Sequence, residues 1–286
     1  MPARIGPYTL HAIEAGRFGL DGGAMFGIVP KPLWESRIAP DAQNRIPLHM
    51  RCLLAEGDGR VVLIDTGIGD VFAGTKYADI YAIDADAPTL LESLHAIGIG
   101  ANDVTDVVLT HLHFDHCGGS TRREGDRRVP TFPEATYHVQ GAHWDWAVAS
   151  NPKEHGSFLQ DTFRPLADRG QLQRVDGPTT LFPGMTVRLV HGHTEAQQVV
   201  LIQDEQHTLA YVADLLPTSH HLAPAWTMGY DVRPLVTMEE KADFLQEASA
   251  NRWTLFFEHD PEVVTAEVAS TDRHMKVDAP RPRLAV

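Results

Sequence analysis

Cysteine is nearly absent from this chain. Cys52 and Cys117 stand alone in 286 residues, too few for a disulfide framework and in keeping with a reducing cytoplasm. No apolar run approaches the roughly 20 residues that a membrane helix needs, and Met1-Pro2-Ala3-Arg4-Ile5-Gly6-Pro7 opens no such run. A soluble, unexported, cytoplasmic protein without a membrane partner is therefore expected. Positive charge is scarce too. Lys and Arg number 24 against 38 Asp and Glu, a formal net charge of −14, and no basic stripe offsets it, which argues against nucleic acid as a partner. The 43% of hydrophobic residues suffices for a large core.

Histidine, by contrast, is concentrated. His111-Leu112-His113-Phe114-Asp115-His116 places three imidazoles and a carboxylate in six residues, directly after the apolar run Val107-Val108-Leu109-Thr110, which reads as a buried strand ending at a site. Neutral imidazole nitrogens and carboxylate oxygens suit zinc and similar divalent ions, and ligands two apart on extended chain project to one side. His111 and His113 then converge on one point while Asp115 and His116 lie beyond the turn, so two metals are implied.

Other apolar runs end in the same way. His193 follows Met185–Val190, Asp214 follows Thr208–Ala213, and His259 follows Trp253–Glu258; Val61–Ile64 delivers Asp65 into the tight Asp65-Thr66-Gly67 turn. Because these residues run from 111 to 259, neither half of the chain closes the site alone, and one domain over 1–286 is expected. Strands and helices interleave. Thr89–Ile97 has helical apolar spacing and a stop at Gly98; Thr237-Met238-Glu239-Glu240 has capping-box spacing and should open a helix through about Ala250; another helix is expected around Ser157 to Ala167. Segment 18–50 carries Gly22 to Trp34, including Met25 and Phe26, and is too rich in bulky apolar groups to be a solvated linker. It reads as core, a pocket wall or a dimer surface. Residues 217–235, with His220, His221, Trp226, Met228 and Tyr230, pose the same choice and, following Asp214, should reach the pocket. The tail 278–286 reads as loosely ordered.

The ordered set His-x-His-x-Asp-His, His, Asp, His resembles the metallo-β-lactamase-fold hydrolases. The resemblance implies an α/β four-layer αβ/βα sandwich, with His111, His113 and His193 on a first metal, Asp115, His116 and His259 on a second, Asp214 bridging them, and Asp65 orienting a ligand from behind. His191 competes with His193, and Glu195-Ala196 stands where the family often has Pro-Gly, but Gly192-His193-Thr194 matches. Zinc is the first choice of ion, with iron, manganese and cobalt open to the same ligands.

Gly22 to Trp34, Asn44 to Leu48, the His-rich motif with Cys117-Gly118-Gly119, and Trp226 to Asp231 look like bacterial quorum-quenching N-acyl-homoserine lactonases and the methyl parathion hydrolase group, over residues 18–262. This implies a lactonase or esterase in which a hydroxide held between two ions attacks the substrate and Asp115 carries a proton. The alternative is a phosphotriesterase or arylesterase. A β-lactamase fits less well because Asp214 bridges, a glyoxalase II because little chain follows His259, and an iron-dependent oxidoreductase because His113 is imidazole. One position departs: Pro217 stands where many lactonases of the family have a Tyr that holds the substrate carbonyl, leaving Tyr230 and His221 as candidate donors. Met25, Phe26, Trp226 and Met228 are expected to line an apolar pocket for an acyl chain. The expected partners are a small ester or lactone and a second copy of the chain in a homodimer.

Overall fold

The computed structural model describes residues 3–271 and 275–286. Two seven-stranded sheets form most of it. The first runs, in spatial order, through Ala3–Ile5, Tyr8–Asp21, Arg45–Gly57, Arg60–Ile64, Asp106–Val108, Thr136–Gln140 and Leu172–Val175. The second runs through Thr179–Phe182, Met185–Val190, Gln197–Gln203, Thr208–Tyr211, Thr254–Phe256, Thr265–Ser270 and Met275–Arg281.

Alternation along the strands sorts side chains into layers, since successive residues point to opposite faces. Leu53, Ala55, Val62 and Ile64 of the first sheet meet Val187, Val200, Leu209, Tyr211 and Phe256 of the second in one buried cluster between the sheets. Leu54, Leu63 and Val107 face the other way and pack with Leu90, Leu94, Phe163 and Leu166 from the first helical layer. Val199, Leu201, Ala210 and Leu255 pack outward against Phe244, Leu245 and Ala248 of the helix Pro234–Ala250. Helix, sheet, sheet, helix is the expected four-layer αβ/βα arrangement. Among the described residues no helix is long and apolar enough to cross a membrane.

Strand direction decides where functional side chains emerge. Arg60–Ile64, Asp106–Val108 and Thr136–Gln140 run parallel, so their C-terminal ends share one edge. In the second sheet, Met185–Val190 reaches Thr208–Tyr211 through two antiparallel steps, and Thr208–Tyr211 pairs parallel with Thr254–Phe256. The loops carrying His193, Asp214 and His259 therefore all leave one edge.

Local expectations fared unevenly. The helix Leu90–Ala96 is capped by Thr89 in a full capping box with Glu92, and Gly98 follows at φ +83°. The helix expected from Thr237 begins instead at Pro234, because proline is pre-organised for a first helical turn; Thr237 is buried inside it, against Gly192, where a Cβ would lie 2.3 Å from the Thr237 nitrogen. The Ser157–Ala167 helix is broken into a 3₁₀ turn, Gln160–Thr162, and a short helix, Arg164–Asp168, because Pro165 is tolerated only in a first turn. The loose tail is a correction as well. Met275–Arg281 is an edge strand paired with Thr265–Ser270, where Pro280 needs no ladder donor, and Leu284 and Val286 pack on the cluster between the sheets.

Two glycines let the Asp65-Thr66-Gly67 turn lie against the His-rich motif. A Cβ on Gly118 would stand 2.3 Å from the Ile68 carbonyl oxygen and one on Gly119 2.2 Å from that of Thr66. Gly119→Ala should lower stability by about 1–3 kcal/mol, the usual cost of overpacking, read by urea unfolding, with Gly156→Ala, whose Cβ meets nothing within 4 Å, as the neutral control. Equal stability of the two variants would contradict the close-approach argument.

Candidate metal centre

Seven side chains from four segments meet at the shared edge. Ligand-type atoms of His111, His113, His193 and Asp214 lie within 4.8 Å of one another, as do those of Asp115, His116 and His259. Asp214 touches both groups: its Oδ2 is 3.1 Å from His193 Nε2 and 3.5 Å from His116 Nε2, and its Oδ1 is 3.3 Å from His259 Nε2. Asp115 reaches in from the four-residue helix Phe114–Cys117, 3.8 Å from His259 Nε2. His191 turns away to Glu195 at 2.9 Å and is partly exposed, whereas His193 is 2% exposed and faces inward.

The outer nitrogens of the imidazoles determine what the inner ones offer. His116 Nδ1 lies 3.1 Å from Asp65 Oδ2 and 3.0 Å from Glu258 Oε2. His193 Nδ1 lies 3.0 Å from Asp231 Oδ1, His113 Nε2 3.3 Å from Glu154 Oε1, and His259 Nδ1 2.7 Å from the His49 carbonyl. The Thr110 hydroxyl donates to Asp65 Oδ2 at 2.7 Å and so accepts from His111 Nδ1 at 3.1 Å. Carboxylates and carbonyls only accept, so each outer nitrogen carries the proton and each inner nitrogen is a lone pair. Those lone pairs face each other: His111 Nε2 and His193 Nε2 stand 3.1 and 3.2 Å from His113 Nδ1, and His259 Nε2 3.2 Å from His116 Nε2. Buried Asp214 Oδ1 has no hydrogen-bond donor. Converging lone pairs and an orphaned carboxylate oxygen are what divalent cations satisfy, so the residues fit the metals that the motif implies.

Electrostatics point the same way. Asp214 is held well below the usual carboxylate range: burial opposes its charge, but the His116 and His193 imidazoles outweigh it. His193 and His259, despite burial, are raised to about 10 and about 9, chiefly by Asp214. The centre thus favours positive charge, and cations bound there replace protons. Behind it, burial and then the Glu258 charge push Asp65 up to about 7.

The sequence profile of the metallo-beta-lactamase superfamily matches residues 47–259. The chain belongs to that superfamily. A probable metallo-hydrolase of Mycobacterium bovis is 27% identical over 216 residues, 69% of this chain and 64% of that protein, so this chain spans less than two thirds of the length of that relative. An N-acyl homoserine lactonase of Bacillus cereus is 24% identical over 70% of this chain and 72% of its own. Among solved structures, AidC, a dizinc quorum-quenching lactonase in complex with a product, superposes with a TM-score of 0.81 over 98% of this chain and 97% of that one at 22% identity, a likeness of fold.

A cavity of about 210 Å³ opens over the superfamily's metal-binding edge, floored by His113, Asp115, His193, Asp214 and His259 and walled by Leu20, Met25, Tyr81, Phe114, Met228 and Tyr230. Met25 and Met228 line this cavity. Phe26 and Trp226 do not. Phe26 is fully buried, stacked on Trp34 and on His221 with Trp226 against its edge, because the turn Gly22–Phe26 aims Met25 and Phe26 in different directions. His221 is also misplaced as a substrate donor. Its Nε2 donates to the Met25 carbonyl at 2.9 Å and its Nδ1 accepts from Thr218 Oγ1 at 2.8 Å, so both nitrogens are used in holding segment 217–222 to the Met25 turn. Tyr230 keeps the other role open: its ring walls the cavity and its hydroxyl has no protein partner among the described residues. Pro217, at the departing position, offers its carbonyl to the His259 backbone N–H at 3.2 Å.

Sequence reasoning missed Glu154, Asp231, Glu258 and Tyr81. Asp231 and Glu258 lay in stretches already singled out, and their carboxylates beside apolar residues were the available signal; Glu154 and Tyr81 carry none. Cys117 donates to the Leu112 carbonyl and packs beneath the site, as a small buried residue does.

Asp214→Asn keeps the size and removes the charge that both groups share. Metal content by elemental analysis should fall from about two ions per chain to one or fewer, with turnover lost and the fold retained by circular dichroism. Two ions and near-normal turnover would contradict the bridging assignment.

Proposed function

We propose that the protein is a dinuclear-metal hydrolase that opens lactones, N-acyl-homoserine lactones first among them, with zinc as the ion. The observation that carries this reading is the juxtaposition of a cradle for two cations with a cavity whose wall includes Leu20, Met25, Phe114 and Met228 and on which the Tyr230 hydroxyl is an unspent donor. The named lactonase of Bacillus cereus supports the substrate class. When bound, two divalent ions supply a water-derived nucleophile at neutral pH and a Lewis acid for the carbonyl oxygen. His111, His113 and His193 would hold one ion, Asp115, His116 and His259 the other, with Asp214 between.

The chain's own residues do the rest. Met25, Leu20 and Met228 hold the acyl chain and exclude water. Tyr230 donates to the carbonyl oxygen as negative charge develops there, the part that the family Tyr plays where this chain has Pro217. Asp115, which lines the cavity, accepts the proton of the attacking water and returns it to the ring oxygen that leaves, so the ester C–O bond breaks to a free hydroxyl and a carboxylic acid, which gives its own proton to solvent to become the carboxylate. On this reading the partners are a small neutral ester and a second copy of the chain, with Ile28 (87% exposed) and Leu33 (55%) on segment 18–50 as the contact face, and the site of action is the cytoplasm.

Two outcomes are expected from one kinetic series. kcat/KM for acyl-homoserine lactones should rise as the chain lengthens from short to medium, each buried methylene contributing at most about 0.8 kcal/mol. Tyr230→Phe should lower kcat about 10- to 100-fold, the size of one hydrogen bond to a charged group, with both metals still bound. Fast phosphotriester cleavage with inert lactones would transfer the site to the phosphotriesterase reading.

A further inference from the structure

The imidazoles of the metal centre are not supported alike. Asp65 serves both halves, directly at His116 Nδ1 and through the Thr110 hydroxyl at His111 Nδ1. Glu154 serves one. Its Oε1 lies 3.3 Å from His113 Nε2 and accepts from Thr194 Oγ1 at 2.6 Å, beside His193; its Oε2 accepts from Trp146 Nε1 at 2.7 Å and Asn151 Nδ2 at 2.6 Å. The residue is 2% exposed. Among the described residues, no hydrogen bond or ion pair joins Glu154 to Asp115, His116 or His259.

His113 meets this partner through a different ring nitrogen from the other ligands. It alone turns Nδ1 inward, where His111, His116, His193 and His259 present Nε2. Without an acceptor at Nε2, the tautomer carrying its proton on Nδ1 becomes available and puts a hydrogen where a lone pair must stand.

We infer that Glu154 is a positioning residue that sets the cation affinity of the His111, His113 and His193 half of the centre independently of the Asp115, His116 and His259 half. The inference rests on the two-cation reading above, while its test needs no substrate. Metal-free full-length protein is titrated with Zn²⁺ by calorimetry and by competition with a chelator, for the wild type, Glu154→Gln and Thr194→Val. In Glu154→Gln one equivalent should weaken about 10- to 100-fold, the usual size of an outer-sphere change, while the other stays at its wild-type affinity; Thr194→Val should shift the same equivalent by less. Equal weakening of both equivalents, or no weakening, overturns the inference. A purely structural Glu154 would show instead as a lower melting temperature of the metal-free variant with unchanged affinities, which also overturns it. Where Glu154→Gln does not fold, Glu154→Asp with the same readout decides. A wild type that takes up one ion would sink the two-cation reading, whereas two equivalents in the wild type without selective weakening in Glu154→Gln would overturn this inference alone.

Discussion

Everything at this site depends on where five protons sit. Each ligand imidazole gives its outer N–H to a buried acceptor, and each acceptor is fixed by a different part of the fold: Asp65 by the Thr110 amide, Asp231 by the Met228 amide, Glu154 by Trp146 and Asn151, the His49 carbonyl by a strand of the first sheet. With those protons turned outward, five lone pairs and two aspartates converge on one buried volume. Bare, such a cluster is costly to bury, because the positive charge that Asp214 favours on His193 and His259 is taken out of water. Divalent cations would convert that cost into the main attraction of the site, so folding and metal binding are expected to be coupled.

The two sheets bring the acceptors into position. Parallel neighbours deliver Asp65 and the His111 to His116 segment from the first sheet; a parallel pair and a double antiparallel step deliver His193, Asp214 and His259 from the second. Close approach then locks the halves together. Gly118 and Gly119 admit the turn that carries Asp65, and Gly192 admits the helix Pro234–Ala250, whose Glu240 accepts from the His191 and Gly192 amides just before His193. Asp65 and Ala213 hold positive φ, 58° and 44°, next to the ligands, a backbone strain of the kind that accumulates where geometry is imposed from outside.

The layer order and the ligand segments were legible in the sequence because each follows from a local pattern: an apolar run, then a histidine or aspartate at its end. Patterns that depend on distant partners were not. Glu154 comes 41 positions after His113 on a loop of ordinary composition, and nothing local marks it as the partner of that imidazole. Met25 and Phe26 look equally suited to a pocket, yet one backbone turn sends the first to the cavity and the second under Trp34. His221 carries the residue type of a donor but spends both nitrogens on its neighbours. The tail misled because chain ends are commonly loose, whereas here it adds an edge strand in which Pro280 needs no ladder donor.

The central claim is that this one cluster holds two cations bridged by Asp214, and anomalous diffraction at the zinc edge from crystals of zinc-loaded protein tests it most directly. Two peaks roughly 3.5–4 Å apart are expected, one among His111, His113 and His193 and the other among Asp115, His116 and His259, with Asp214 between them. A single peak, or a peak displaced to the group formed by Asp65, His116 and Glu258, would contradict the account.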